Sequence, residues 1–274
     1  MIRALALLLW LVFVLRGWPS SFDERFAVVF IDAQTEAQYG GFPLDRKYIA
    51  QAVERLAQGQ AKGAVLKFFF DLPREGDGDA RLALAMGKLP VLLEARIDDT
   101  QDRPNPFPEN FCLTGVLPSA VRAFSGQSGW IPLARLSAKA KGVGFVDLPE
   151  PGWTPMVEKY QGKVVKSLHL CALELAFDTT AKLAPGRSLT LAGKTIELDA
   201  ENRVQIRCPA ADKLGYIKFH DLLSGKVESK AVQGKVVIVG YDGPKIQLIQ
   251  SPLGPIKAHR YFIYGLQDLC RRLE

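Results

Sequence analysis

The sequence predicts an α/β fold: a single domain whose mainly parallel central sheet is flanked by helices and accompanied by a β-hairpin, behind an N-terminal transmembrane or signal helix. Three observations support this prediction. In the first hundred residues, short apolar segments alternate with helical patterns, an order typical of parallel strands joined by right-handed crossovers. A single long apolar segment lies at the amino terminus. Of the 274 residues, 48% are hydrophobic and 23% are charged, so the chain has enough apolar material to bury a core.

The amino terminus has the pattern of a membrane anchor or a signal peptide. Residues 4–15 are all apolar, with Arg3 before them and Arg16 after them. As a helix, residues 1–18 would be about 27 Å long, close to the ~30 Å thickness of the hydrocarbon layer. A signal peptide would also have this layout, although no small-x-small cleavage triplet follows. We expect residues 1–21 to be anchor or signal and residues 22–274 to be one extracytoplasmic domain. A buried core helix is the remaining alternative.

The first half of this domain alternates between apolar runs and amphipathic stretches. The apolar runs predict buried strands at 26–31, 64–70 and 90–94. The stretches between them predict helices over 45–58, with Asp45 as the N-cap, and over 77–88. Residues 97–110 contain aspartates and spaced prolines and predict a surface loop.

The second half has fewer clear patterns. Apolar runs predict strands at 142–147 and 235–239. Amphipathic spacing predicts helices at 167–177 with Ser167 as its cap, at 219–223, and at 259–272. Residues 188–207 alternate in polarity around Asp199–Asn202, and we expect a β-hairpin there.

Charge and cysteine content exclude several classes of protein. The 35 basic residues are scattered among 29 acidic ones, which gives a net charge of +6, and no basic stripe with aromatic residues predicts a nucleic-acid partner. The four cysteines form no C-x-x-C pair, so zinc and redox motifs are not indicated. We expect buried free thiols, with one or two disulfides as the alternative. The cysteines are Cys112, Cys171, Cys208 and Cys270.

No catalytic, metal-binding or cofactor motif is present. The sequence lacks a phosphate-binding Gly-x-x-x-x-Gly-Lys-Ser/Thr loop, a Gly-x-Ser-x-Gly elbow and a His-Glu-x-x-His pair. The histidines His169, His220 and His259 fall in three separate elements. We therefore predict no cofactor, no metal and no catalytic residue.

Acidic residues follow several of the predicted strands. Because ligands bind beyond the carboxyl ends of strands in parallel α/β sheets, these carboxylates could line a polar cleft together with Arg46. The alternative is that they cap helices and end strands, as aspartate commonly does. The acidic residues are Asp32, Asp71, Asp147 and Asp242.

Lys67 is unusual because it lies inside the apolar strand at 64–70. Alternation places it on the same face as Val65 and Phe69. A buried lysine needs a carboxylate or a route to water, and we expect Asp32 on a neighbouring strand to be its partner. A catalytic lysine with a lowered pKa is the alternative.

Several segments resemble the type-two CHASE domain, a family of extracellular sensory domains. In the first half these are Phe30–Asp32, Gly41–Arg46 and Ala64–Phe70. In the second half they are Phe219–Gly225, Gly234–Gly240, Ser251–Gly254 and Ala258–His259. The resemblance spans roughly residues 5–272 and is weak at 97–140. It differs from the family pattern where Lys67 and Gln247 stand in place of acids, and where Glu150–Pro155 replaces an Asp-Gly with a following Arg.

This resemblance implies a sensory, ligand-binding domain that is anchored to the membrane and signals through a partner or through an output domain that this chain lacks. Its partners would be a small-molecule ligand or an envelope protein, and the membrane through the N-terminal helix. Two alternatives stay open: an exported hydrolase-like enzyme using Asp32, Asp71 and Lys67, and an envelope scaffold without a ligand. The candidate ligand-binding residues are Asp32, Arg46, Lys67, Asp71, Asp242 and His259.

Overall fold

The structure is a computed structural model that describes residues 21–97, 106–122, 125–148, 150–209, 214–251 and 254–274. The apolar segment at 4–15 lies outside these residues, and so does most of the loop expected at 97–110. No helix within the described ranges is both long enough and apolar enough to cross a membrane.

Strands are numbered along the chain. They are β1 Phe26–Ile31, β2 Gly63–Phe69, β3 Val91–Ala95, β4 Ser125–Gly126, β5 Gly142–Phe145, β6 Trp153–Pro155, β7 Val157–Tyr160, β8 Lys163–Lys166, β9 Lys182–Ala184, β10 Ser188–Leu191, β11 Lys194–Glu197, β12 Arg203–Gln205, β13 Ile217–Lys218, β14 Val236–Tyr241, β15 Leu248–Ser251 and β16 Gly254–Lys257.

Helices are numbered in the same way. The α-helices are α1 Ser21–Arg25, α2 Ala33–Tyr39, α3 Arg46–Gln58, α4 Gly78–Met86, α5 Ala134–Ser137, α6 Leu168–Phe177, α7 Phe219–Leu223 and α8 Ala258–Arg272. Short 3₁₀ turns occur at Glu109–Phe111, Pro118–Ala120 and Ser229–Ala231.

Six strands form the central sheet in the order β13-β1-β14-β2-β3-β5, and every neighbouring pair is parallel. β14 comes from late in the chain and is inserted between β1 and β2, with Ile238 opposite both Val28 and Val65. The predicted α/β class and parallel sheet are therefore confirmed. Because all six strands point the same way, their carboxyl ends meet at one edge of the sheet.

Each face of the sheet is covered by its own hydrophobic core, as expected for parallel strands that are apolar throughout. On one face, residues such as Leu66 and Val239 pack against α3, α4 and α7. On the other face, Val65 and Ile238 pack with side chains of α6 and α8. Phe22 of α1 belongs to this second core, and α1 packs against α8. Both ends of the described chain thus meet on one face of the sheet.

Most predicted elements are present, but the expected hairpin over 188–207 is wrong in its extent. β10 and β11 form a hairpin around Ala192 and Gly193, which both have positive φ angles, and β9 extends it to three strands. The expected turn at Asp199–Asn202 leads instead into β12, which pairs with β6. The Asp199 side chain accepts hydrogen bonds from the backbone amides of Glu201 and Arg203, and these bonds stabilise the turn.

Several short elements have weak sequence patterns and were not predicted. They include α1, α2, α5, β13, and the hairpins formed by β7–β8 and β15–β16. The four cysteines are free, as expected, with Cys171 and Cys270 buried and the other two half-buried. Burial raises the pKa of the Cys171 and Cys270 thiols to about 12, which makes both unreactive.

Candidate functional site

A cavity of about 630 Å³ lies at the carboxyl edge of the sheet. Its lining includes the ends of β2, β3 and β14, the start of α8, and the turn before α3. This is the position at which parallel α/β sheets bind ligands. Of the candidate residues predicted from the sequence, the cavity brings together Arg46, Lys67 and His259.

A buried ion pair forms part of the lining. Lys67 on β2 is 5% exposed, and its Nζ donates a hydrogen bond of 2.8 Å to Oε1 of Glu94 on β3, which is 2% exposed. Oε2 of Glu94 is buried and accepts no hydrogen bond from any described residue. Burial raises the pKa of the Glu94 carboxyl, and the nearby Lys67 ammonium opposes this rise.

The expectation that Asp32 would be the partner of Lys67 is wrong. Asp32 follows β1, and β14 separates β1 from β2, so the strand that flanks Lys67 on its other side, β3, supplies the carboxylate. The signal in the sequence was Glu94 itself, an acid inside the apolar run at 91–95. A buried carboxylate and a buried ammonium are each costly without a countercharge, so two such residues in neighbouring apolar strands indicate an ion pair.

Two neutral imidazoles lie beside the ion pair. Nδ1 of His259 accepts a 2.8 Å hydrogen bond from the Tyr241 amide, so its ring proton is on Nε2, which has no partner among the described residues. His169 donates from Nε2 to the carbonyl of Phe262 at 3.1 Å. Burial and the Lys67 ammonium lower the pKa of both rings, that of His169 to about 3. Both histidines are therefore uncharged at neutral pH.

The close approach of α6 to α8 depends on a glycine. A Cβ atom at Gly265 would lie 2.7 Å from Nε2 of His169, closer than non-bonded atoms approach. The absence of a side chain at this position of α8 therefore lets the His169 ring reach the Phe262 carbonyl.

Arginines border the cavity on the side of α3. Arg46 is buried, is ion-paired with Asp79, and donates to the Leu72 carbonyl at 2.6 Å. Its guanidinium also lies 5.2 Å from the Phe70 ring centre. Arg74 is exposed, borders the cavity and forms no ion pair within the described part of the chain.

The lining is positively charged overall. It contains five cationic side chains and two carboxylates, and its histidines are neutral. Two of the cations pair with carboxylates outside the lining, Arg46 with Asp79 and Lys245 with Glu36 at 3.8 Å, so the net charge including these partners is +1. The charged residues are Arg46, Lys67, Arg74, Arg96, Lys245, Glu94 and Asp147.

Aromatic rings form a second part of the wall. Phe42 stacks on Tyr241 with ring centres 4.0 Å apart, and Phe262 lies 5.3 Å from Nζ of Lys67. Glu36 fixes this corner, because its carboxylate accepts from the Phe42 amide at 2.8 Å and from the Tyr241 hydroxyl at 3.0 Å. The cavity thus combines the buried Lys67–Glu94 ion pair with a wall of aromatic side chains.

The remaining predicted site residues do not line the cavity. Asp32 caps α2 by accepting from the amide and hydroxyl of Thr35, each at 2.8 Å, which agrees with the alternative of a helix cap. Asp242 is buried in a bidentate ion pair with Arg260, with distances of 2.8 and 2.7 Å. Asp71 is half-buried outside the lining. Conversely, sequence reasoning missed Glu94, while Asp147 does reach the lining.

These positions do not form the catalytic cluster of the hydrolase alternative. That alternative requires Asp32, Asp71 and Lys67 to converge, whereas only Lys67 lines the cavity. The described residues also contain no group of three or more histidine, cysteine or acidic side chains arranged to hold a metal ion.

Fold and cavity together define an α/β domain with a polar, partly aromatic cavity at the carboxyl edge of its sheet. A family model described as the CHASE2 domain matches residues 5–266. The chain belongs to this family of extracellular sensory domains of signalling proteins, which confirms the resemblance drawn from the sequence. No curated protein and no solved structure matches the chain.

Proposed function

We propose that residues 22–274 are an extracytoplasmic domain that senses a small molecule by binding it in the cavity. Residues 1–21 hold the domain at the membrane, and the signal passes through a partner or an output domain. The observation that carries this proposal is the convergence of Arg46, Lys67 and His259 on a cavity of about 630 Å³. Ligand pockets typically measure ~300–1,000 Å³ and combine apolar walls with a few polar groups.

The polar groups of the cavity are arranged for binding rather than for reaction. Lys67 is ion-paired with Glu94, and the only basic nitrogen of His259 already accepts a hydrogen bond from the Tyr241 amide. The described lining residues include no serine, threonine or cysteine that could act as a nucleophile. These features support a sensory rather than a catalytic role.

A thermal-shift screen of the full chain in detergent tests the proposal. The library contains small anionic, neutral and cationic metabolites. A ligand present at 100 times its Kd adds about 2.7 kcal/mol of apparent stability. We expect the hit to lose its effect on the double variant Lys67→Met/Glu94→Gln, which removes both charges of the buried pair.

The matched control is Lys166→Met. Lys166 is ion-paired with Glu174 at 2.6 Å outside the cavity, so this variant loses a lysine without changing the proposed site. A hit that stabilises the cavity variant and the wild-type protein equally would contradict the proposal, and so would a screen without any hit on a well-folded protein.

A further inference from the structure

We infer that the cavity binds an organic acid with three features: one carboxylate, a hydroxyl next to it, and an apolar body. This inference rests on the proposed function above, since it specifies the chemistry of the ligand for the same cavity. Two features follow from hydrogen-bonding atoms of the lining that are not fully used within the described residues, and the third follows from its aromatic side chains. The ligand class is therefore a hydrophobic 2-hydroxy acid.

Two hydrogen-bond donors of the lining, on Lys67 and His259, indicate that the ligand carries a carboxylate. Nζ of Lys67 has three N–H bonds, and its single hydrogen bond to a described residue is to Glu94. Nε2–H of His259 has no acceptor in the described part of the chain. Lys67 and His259 line the same cavity. An ammonium and a neighbouring neutral N–H suit one carboxylate group.

One hydrogen-bond acceptor of the lining, on Glu94, indicates that the ligand carries a hydroxyl. Oε2 of Glu94 is buried and has no hydrogen-bond donor among the described residues, and buried oxygens of this kind are nearly always paired in proteins. Sulfate or a fully ionised phosphate ester has no O–H to donate and would place acceptor oxygens against this carboxylate. A hydroxyl beside the ligand's carboxylate instead donates to Oε2 while the carboxylate contacts Lys67.

Net charge distinguishes a hydroxy acid from an amino acid, because an amino group could also donate to Glu94. With the carboxylates that pair with Arg46 and Lys245 included, the lining has a net charge of +1. The remaining charge is that of Arg74, an exposed residue that forms no ion pair within the described residues. A ligand with a net charge of −1 reduces this excess, whereas a zwitterion does not. The charge balance thus favours the hydroxy acid.

The aromatic side chains of the lining indicate that the ligand has an apolar body. Phe42 and Tyr241 form a stacked pair, Phe68 lies with its ring centre 5.8 Å from that of Phe42, and Phe262 lies beside Lys67. Aromatic walls stabilise aliphatic and aromatic groups through burial and ring contacts. A ligand consisting of polar groups alone would leave this surface uncovered.

Four probes with one phenyl group separate these features in a titration of the full chain in detergent, followed by calorimetry. 3-Phenyllactate has all three features, 3-phenylpropanoate lacks the hydroxyl, phenylalanine is zwitterionic, and 3-phenyl-1,2-propanediol lacks the carboxylate. We expect phenyllactate to bind most tightly and the diol to bind at least about tenfold more weakly, the factor typical of a lost hydrogen bond to a charged group. Diol binding equal to that of phenyllactate would overturn the inference.

Two variants localise the effect. Glu94→Gln keeps the shape of the side chain and adds an N–H donor, so the preference for phenyllactate over phenylpropanoate should disappear. Lys67→Met/Glu94→Gln should weaken every acid about tenfold or more, whereas Lys166→Met should leave the affinities unchanged. Unchanged acid binding in the double variant would overturn the inference.

The inference and the proposed function fail in different ways. If none of the acids binds but the wider screen yields a ligand that depends on Lys67, the ligand class is wrong and the sensory cavity stands. If no compound depends on the cavity residues, both are wrong.

Discussion

Nζ of Lys67 and Oε1 of Glu94 lie 2.8 Å apart on adjacent parallel strands, with each side chain less than a tenth exposed. Two charges in such a position lose their hydration, and their mutual attraction offsets this loss only when the geometry is fixed. Both residues belong to strands rather than to loops, and Lys67 lies where the register between β2 and β3 shifts, so that Phe69 is paired with Glu94. Both charges of the pair are therefore already in place in the cavity wall before a ligand binds.

Removing one member of this pair should destabilise the fold. Lys67→Met leaves the Glu94 carboxylate buried without a countercharge, and we expect a loss of about 3–5 kcal/mol in the free energy of unfolding. Lys67→Met/Glu94→Gln removes both charges and should recover most of that loss. Denaturant unfolding of the full chain measures both variants. A double variant as unstable as the single one would show that the ion pair is not the cause.

Stability should fall as the pH is lowered below about 6.5. The folded-state pKa values of His169 and His259 lie below the ordinary value of 6.5, that of His169 at about 3. The unfolded chain therefore binds protons that the folded chain does not, and each histidine costs roughly 1.4 kcal/mol per pH unit. The stability that they contribute is fully present above pH 6.5 and is lost progressively below it.

Unfolding measured between pH 6.5 and 5 tests this, since most carboxylates stay ionised in that range. His169→Gln keeps a donor for the Phe262 carbonyl but does not titrate, so the slope of stability against pH should be smaller. Glu94 acts in the opposite direction, because its raised pKa favours the folded state as the pH falls. An unchanged slope in His169→Gln would contradict the assignment.

Gly144→Ala should be among the most damaging small substitutions. A Cβ atom at Gly144 of β5 would lie 2.5 Å from Cα of Leu168, so α6 would have to move away from the sheet. We expect a loss of several kcal/mol in unfolding free energy, as is typical of overpacking against backbone. Gly215→Ala is the control, because a Cβ there meets no atom within 4 Å. Equal effects of the two substitutions would refute the close approach of α6.

Asp32→Ala should affect stability but not ligand binding. Asp32 accepts hydrogen bonds from Thr35 as the N-cap of α2 and does not line the cavity. The loss of a cap typically costs ~0.5–2 kcal/mol. Asp32→Ser should retain most of the stability, because serine also caps helices. A thermal-shift comparison with a confirmed ligand decides the point: loss of binding in Asp32→Ser would place Asp32 in the site after all.

The sequence predicted the elements whose patterns are long and regular. The strands at 26–31 and 64–70 and the helix capped by Asp45 follow directly from apolar periodicity. Strand order could not be derived in the same way, because nothing local to the run at 236–241 indicates that it is inserted between β1 and β2. That insertion is the reason why Asp32 was assigned to Lys67 and Glu94 was overlooked.

The candidate site was predictable to a similar extent. Its position at the carboxyl edge follows from a general property of parallel sheets, and Arg46, Lys67 and His259 reach it. The acids after the strands were harder to assign, because a cap and a ligand group have the same sequence signature. Asp32 and Asp242 are engaged by Thr35 and Arg260, contacts that only the folded backbone reveals.

Helix α8 begins at the cavity and ends beside the first described helix. His259, its second residue, borders the cavity, while Leu273 after its last turn shares a hydrophobic core with Phe22 of α1. Its 15 residues are about 22 Å long, and a helix resists axial compression because its backbone hydrogen bonds run along its axis. We therefore expect that a displacement of His259 along the helix axis also displaces α1, because α8 and α1 pack against each other.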